Sequence, residues 1–221
     1  MMDIARVSPL ANGHPIGLRE TGKAERLRRL KESTRALLLE RGYDEVTTRE
    51  ISRAAGVSIG TLFVYAKDKR DLLYLVVNDE LDPVAEYAHA HVPGQGLPLH
   101  KLRAFITPWY EYFAENLAIG RWAFRELTYY QHHPEDIGDS ALRLRTRMRA
   151  QEARFCEILG NARARGELVF DEPATLVGST LYDIYQAEIR SWLYSQSPRA
   201  ECGVDRVAAK FALLLDRMSP A

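Results

Sequence analysis

The sequence predicts an all-α protein of about nine helices. Three observations support this: apolar residues recur at helical spacing along nearly the whole chain, Gly and Pro clusters interrupt them at helix-length intervals, and no alternating strand pattern of useful length occurs. The first helix is expected over Lys23–Arg41, where Leu27, Leu30, Leu37 and Leu38 share a face with Thr34 while Arg26, Arg28, Arg29 and Lys31 occupy the remainder; Gly42 ends it. Thr47 with Glu50 three positions on is a capping box, so a second helix starts there, turns Ile51, Ala54 and Ala55 inward, and stops at Gly56. Ser58 caps a short third helix with Leu62 inward, and Asp68 caps a fourth running through Leu72, Leu73, Val76, Val77 and Leu81 to about residue 90. Beyond the loop HVPGQGLP, helices are expected over 99–118, 120–132, 137–166, 172–195 and 203–218, with breaks at Gly120, HHPED, ARGELVFDEP and SQSPRAECG. The last places Val204, Val207, Ala208, Phe211, Leu214, Leu215 and Met218 on one face, which requires an apolar partner such as a second copy of the chain.

Lys plus Arg and Asp plus Glu both total 30, so no global field announces nucleic acid or an anionic membrane. The charge is nevertheless uneven: residues 19–73 hold 13 basic and 9 acidic side chains, residues 74–221 hold 16 and 20. The basic excess lies at the amino end, where Arg49, Arg53, Lys67 and Lys69 surround the second and third helices. No apolar run approaches a membrane span and no secretory segment opens the chain, so a cytoplasmic protein is expected. Cys156 and Cys202 share no close metal-ligand spacing with histidine, which fits a reducing compartment.

A helix of about eight residues, a turn centred on glycine and a second short helix is the pattern of a helix-turn-helix, whose second helix enters the major groove of double-stranded DNA. Gly56 permits the positive backbone angle of the turn, Ala54 and Ala55 allow close approach, and Val57 and Leu62 fill the space between helices. This leaves Ser58, Ile59, Thr61, Phe63 and Tyr65 exposed, an uncharged set suited to base edges and thymine methyls, with Arg49, Lys67 and Lys69 at the flanks to reach phosphates. Residues 1–21 are expected to be a flexible arm, an idle tail or, through Arg6 and Arg19, an added DNA contact.

From Arg26 to Leu81 the sequence closely resembles the tetracycline-repressor (TetR) family of transcriptional regulators, through RGYDEVTTREISRAAGVSIGTLFVYAKDKRDLL and the fixed offsets of its GY, TT, AGVS, GTL and K.DLL elements. The resemblance implies a three-helix DNA-binding domain over 22–67 and a helical effector-binding and dimerisation domain over 68–221. It places Thr48 and Arg49 at the start of the positioning helix and Ser58, Ile59, Gly60 and Thr61 at the groove-facing end of the recognition helix. Phe63 stands where a tyrosine is frequent, Tyr65 where a histidine is frequent, and Lys69 matches the lysine that opens the fourth helix beside the DNA backbone. Two residues depart from the pattern: Phe63 has no hydroxyl for a phosphate, and Ala66 replaces a large aromatic. Phe63 therefore either packs, the favoured role, or meets a thymine methyl.

After residue 90 the resemblance reduces to helix number and order, and aromatic density becomes the main signal. Trp109, Phe113, Trp122, Tyr130 and Phe155 are read as lining a pocket for a bulky, largely apolar effector, although aromatics suit any packed core as well. His132, His133 and Glu126 read as a solvated helix end rather than a metal site, and the run Arg143, Arg145, Arg147 and Arg149 as a solvated surface. No nucleophile motif, phosphate loop or metal cluster marks a catalytic centre, and no cofactor is implied. The expectation is a homodimeric, ligand-responsive regulator, a repressor by preference, pairing through helices around 172–195 and 203–218 on a palindromic operator. The rivals are an enzyme with an accessory DNA-binding segment and an architectural protein that coats DNA without an effector.

Overall fold

The computed structural model describes residues 18–220, which form nine α-helices with no strand among them. They are α1 Leu18–Arg41, α2 Thr48–Ala54, α3 Ile59–Tyr65, α4 Lys69–Ala90, α5 Pro98–Glu115, α6 Leu117–His132, α7 Asp139–Ala164, α8 Ala174–Leu193 and α9 Ala200–Leu215, with 3₁₀ turns at Pro134–Asp136 and Asp216–Met218. Among the described residues, no helix is long and apolar enough to cross a membrane.

Helices α1 to α3 close around Leu30, Leu38, Val46, Ile51 and Leu62, each wholly or almost wholly buried. The long α4 leaves this head and packs against α1, α5 and α7, while α7 runs along α8 and α5 along α9. Phe155 lies at the centre of the larger body, its ring 5.6–5.9 Å from those of Phe105, Tyr182, Tyr185 and Phe211.

Four sequence expectations change. Helix α1 begins at Leu18, inside the segment read as an arm, with Glu20 suitably placed against the positive end of the helix dipole; Arg6 and the Arg19 side chain lie outside the described residues. The break between α5 and α6 falls at Asn116, which ends one helix and opens the next, while its side-chain amide donates to the Tyr112 carbonyl at 2.9 Å. Gly120 lies within α6. The small residue turned inward from α2 alongside Ala55 is Ser52, and Ala54 faces outward. The apolar face of α9 is already covered: Val204, Val207, Ala208, Phe211 and Leu215 are buried against α5 and α8 of the same chain. What α8 and α9 leave outward is sparser, chiefly Leu176, Tyr194 and Leu213.

The joint between head and body is built on Asp71 in the first turn of α4, which is only 2% exposed. Its carboxylate accepts the amides of Ser140 (2.9 Å) and Ala141 (3.2 Å) at the start of α7, and that of Lys67 (3.0 Å) at the end of the head. Gly138 leaves room for it: a Cβ there would fall 2.4 Å from the Asp71 Cγ.

Gly138→Ala should therefore destabilise the fold by about 1–3 kcal/mol through overpacking, and Asp71→Asn by a similar ~1–3 kcal/mol through amides left badly matched. Both should appear in urea unfolding as a lower midpoint with unchanged slope. Because they act on one shared packing arrangement, the double variant should fall short of their sum; full additivity would refute the coupling.

Candidate nucleic-acid interface and effector cavity

Local capping sets the reading head. Thr47 accepts the Glu50 amide at 3.3 Å and Glu50 accepts the Thr47 amide at 2.9 Å, closing the anticipated box. Arg41 at the end of α1 binds the same carboxylate at 2.7 Å, fixing α1 against α2. Gly56 takes φ 63°, and the Val57 amide returns to the Ser52 carbonyl at 3.0 Å, turning the chain into α3. Ser58 caps α3 by accepting the Thr61 amide at 3.1 Å, and the two hydroxyl groups lie 2.8 Å apart.

On α3, Leu62 and the cap residue Ala66 point inward, while Ile59, Gly60, Phe63 and Val64 face out, Val64 the most exposed at 76%. Phe63 is half exposed, so the packing role preferred from sequence does not hold, and Ala66 is buried without being covered by it. Tyr65 is half-buried and its hydroxyl donates to the Lys23 carbonyl of α1 at 3.2 Å. Sequence reasoning misses Val64, although an apolar side chain one position beyond an outward Phe63 is the signal for it.

The flanking bases differ among themselves. Arg49 is exposed near the start of α2, with no side-chain partner among the described residues, and Thr48 beside it is half-buried. Lys67 is exposed and loosely paired with Asp136 at 3.3 Å. Lys69 is occupied within the protein: its ammonium donates to the carbonyls of Tyr43 (2.8 Å), Val46 (3.0 Å) and Asp44 (3.4 Å) and sits over the Tyr43 ring. Those carbonyls follow the end of α1 and lack helical partners, so the lysine closes that turn instead of standing free for a phosphate.

The body contains a small cavity of about 40 Å³ between α4 and α8, walled by Val77 and Leu81 of α4, Trp109 and Phe113 of α5, Leu127 of α6 and Met148 of α7, among others. Of the five aromatics expected to line a pocket, Trp109 and Phe113 do so. Trp122 instead faces the Tyr43 ring at 6.4 Å, Tyr130 lies beside Tyr74 and Tyr129, and Phe155 is the core residue described above. Each fills a helix junction, which aromatic composition alone does not distinguish from a pocket wall.

The polar lining is Arg147, Gln151, Gln186 and the phenol of Tyr185. Arg147 overturns its reading as a solvated residue: its side chain is 9% exposed and donates to the Asn78 side chain at 2.8 Å and backbone carbonyl at 3.1 Å, and it pairs with Asp82. Burial lowers the affinity of this guanidinium for its proton, with Asp82 opposing the shift. The signal was in the spacing: Leu144, Met148, Gln151 and Phe155 define the inward stripe of α7, and residue 147 falls within it while 145 and 149 do not. Glu126, considered beside the histidines as a metal ligand, is held by Arg70 at 2.7 Å and Arg125 at 3.0 Å. His133, Glu135 and Asp136 bring ligand atoms within 4.8 Å of one another on the surface, but Asp136 already accepts from Tyr129 and Lys67.

The Arg41 guanidinium and the Thr47 hydroxyl and amide hold the Glu50 carboxyl down at about 2. Because the folded value lies below the unfolded one, this contribution to stability is complete above about pH 4.5 and is lost as pH falls toward 2. A carboxyl-detected NMR titration should place Glu50 well below the other glutamates and find it raised in Arg41→Gln. An ordinary value in the native chain would refute the box. Thr47→Ala should cost about 1 kcal/mol of stability.

Residues 31–75 match the family described as bacterial regulatory proteins, tetR family. An HTH-type transcriptional regulator of Staphylococcus aureus (strain USA300) is 34% identical over 65 residues, which are 29% of this chain and 35% of that protein; the chain thus spans about a third of the length of the curated relatives it matches. Among solved structures, FadR of Thermus thermophilus, a TetR-family transcriptional repressor in complex with lauroyl-CoA, superposes with a TM-score of 0.65 at 24% identity, covering 88% of this chain and 96% of that one. The fatty acid degradation regulator FadR of Bacillus halodurans gives 0.62 at 17% identity over 86% and 94%. The ketosteroid regulator KstR2 of Mycobacterium tuberculosis gives 0.56 at 16% over 89% and 96%. At these identities the structural likenesses establish the shared fold, and the helix-turn-helix segment 31–75 is similar to the amino-terminal domain of the tetR family of bacterial regulatory proteins.

Proposed function

We propose that the chain acts as a homodimeric repressor that binds a palindromic operator and is released by a bulky, largely apolar small molecule. One observation carries this reading: α4 bears the reading head at one end and walls the cavity with Val77 and Leu81 further along. Residues 22–67 form the head. Thr48, Arg49, Ser58, Ile59, Gly60, Thr61, Phe63 and Tyr65 face the DNA, with Lys67 available once it leaves Asp136; Val64 joins them on grounds of exposure. Arg49 supplies a phosphate contact, and Ile59 and Phe63 supply apolar surface for thymine methyls. Lys69 acts at one remove by holding the turn after α1.

Residues 68–221 form the effector-binding and dimerisation body. Its outward side chains on α8 and α9, Leu176, Tyr194 and Leu213, meet their counterparts across a two-fold axis. Lauroyl-CoA in the Thermus thermophilus neighbour supports an acyl chain as one kind of effector. Effector entry displaces α4 and alters the spacing of the two heads. A coupling of about 1–3 kcal/mol changes affinity roughly 5- to 150-fold, and DNA must weaken effector binding by the same factor. The function requires no turnover of the effector, and a DNA-bound regulator works in the cytoplasm.

Selection from a random duplex pool should recover one inverted repeat. An Arg49→Ala, Thr61→Ala variant should bind it at least about tenfold more weakly. Arg49→Ala alone should make the slope of log affinity against log salt shallower by about one for each phosphate that the arginine no longer neutralises. Absence of an enriched repeat, or equal binding by the double variant, would remove the α3 assignment.

A further inference from the structure

The cavity walls are mainly apolar, with Arg147, Gln151, Gln186 and the phenol of Tyr185 as polar side chains, and the only charged one is a cation. Arg147 reaches it from α7, and no carboxylate lines it. Trp109 belongs to the same wall: it is 2% exposed, and its indole N–H has no hydrogen-bond partner among the described residues. A buried donor without an acceptor is unfavourable, so this wall is suited to a guest that brings acceptors.

Arg147 also connects the cavity to α4. It donates to Asn78 at 2.8 and 3.1 Å and pairs with Asp82 one turn further on. Asp82 does not depend on it alone, because Arg143 binds the same carboxylate from the preceding turn of α7. Arg143 also lies near Asp79, which is bound by Lys31 of α1 in the head. An acid arriving at Arg147 therefore leaves the half-exposed Asp82 with a cation, and the buried Arg147 guanidinium stays paired throughout the exchange. Pro83 follows Asp82 and has no amide for the Asp79 carbonyl, so the clamp acts where the α4 ladder is already interrupted.

We propose that the cavity selects an apolar chain ending in a carboxylate, which takes Arg147 from Asp82, satisfies the Trp109 N–H and so loosens the hold of α7 on α4. This rests on the effector reading above and specifies its ligand. The carboxylate is a net acceptor matched to two donors, and the chain occupies the space opened between Val77, Leu81 and Phe113.

The test is calorimetric titration of the full chain, without DNA, with decanoate, decan-1-ol and decanoyl-CoA below their micellar concentrations. Decanoate should bind at least about tenfold more tightly than decanol. Arg147→Gln should bring the two within about twofold, Arg147→Lys should retain part of the preference, and Asp82→Asn should tighten decanoate several-fold by removing the competing acid. Trp109→Phe should weaken decanoate several-fold. Equal binding of acid and alcohol by the native chain, no binding of either, or a preference that survives Arg147→Gln would overturn the proposal. Tighter binding of decanoyl-CoA than of decanoate would replace the carboxylate by a thioester and overturn it as well. If Arg147→Gln fails to fold, Arg147→Lys and Asp82→Asn carry the comparison. Since these titrations contain no DNA, failure to find an operator leaves them intact. A carboxylate preference without any loss of operator affinity would refute only the exchange at Asp82.

Discussion

The Asp71 carboxylate is the point through which the two parts of the molecule hold each other. It lies in the interior with no lysine or arginine bonded to it among the described residues, and three backbone amides satisfy its oxygens. Two of them open the longest helix, where the summed peptide dipoles favour a negative charge. The third belongs to Lys67, between the recognition helix and α4. One side chain therefore sets the entry of α7, the first turn of α4 and the exit of α3, and a change in any of these is felt by the other two.

Further along, the α4–α7 contact continues as a polar seam. Asn78 donates to the Ser140 carbonyl at 2.7 Å and accepts from Arg147, and Asp82 pairs with Arg143 and Arg147. Buried polar pairs contribute little net stability compared with well-packed apolar residues, but they tolerate only arrangements in which every partner is satisfied. An apolar seam of the same length permits small sliding adjustments. This one favours positions of α4 in which the buried Asn78 keeps its partners, while the half-exposed Asp82 can also be satisfied by water.

The head was legible because its determinants are local. Thr47 and Glu50, Gly56, Ser58 and Asp68 each act within four residues of themselves, and each helix start they imply is present. The body was legible as a series of helices but not as a packing arrangement. Phe155 and Trp122 are both aromatic residues on amphipathic helices, and only the fold sends one to the centre and the other to Tyr43. The apolar face of α9 announced a need for cover without naming α5 as its source. Lys69 looked like a free cation because the carbonyls that bind it lie more than twenty residues earlier. Arg147 was the exception, since its place on the inward stripe of α7 was available from spacing and was obscured by three arginines beside it.

The cavity between α4 and α8, about 40 Å³, is too small as it stands for a guest with a long apolar chain. Any larger guest enters only when the surrounding helices part, and its apparent affinity is reduced by the fraction of time they do. Under the proposed function, the threshold concentration for a response would thus be set partly by side chains that never touch the guest. Trimming a wall residue such as Met148 raises the open fraction and lowers the threshold, whereas a bulkier neighbour raises it. Sensitivity would then drift through such changes while the chemistry proposed for Arg147 stays the same, so related chains with identical polar contacts would answer to very different doses.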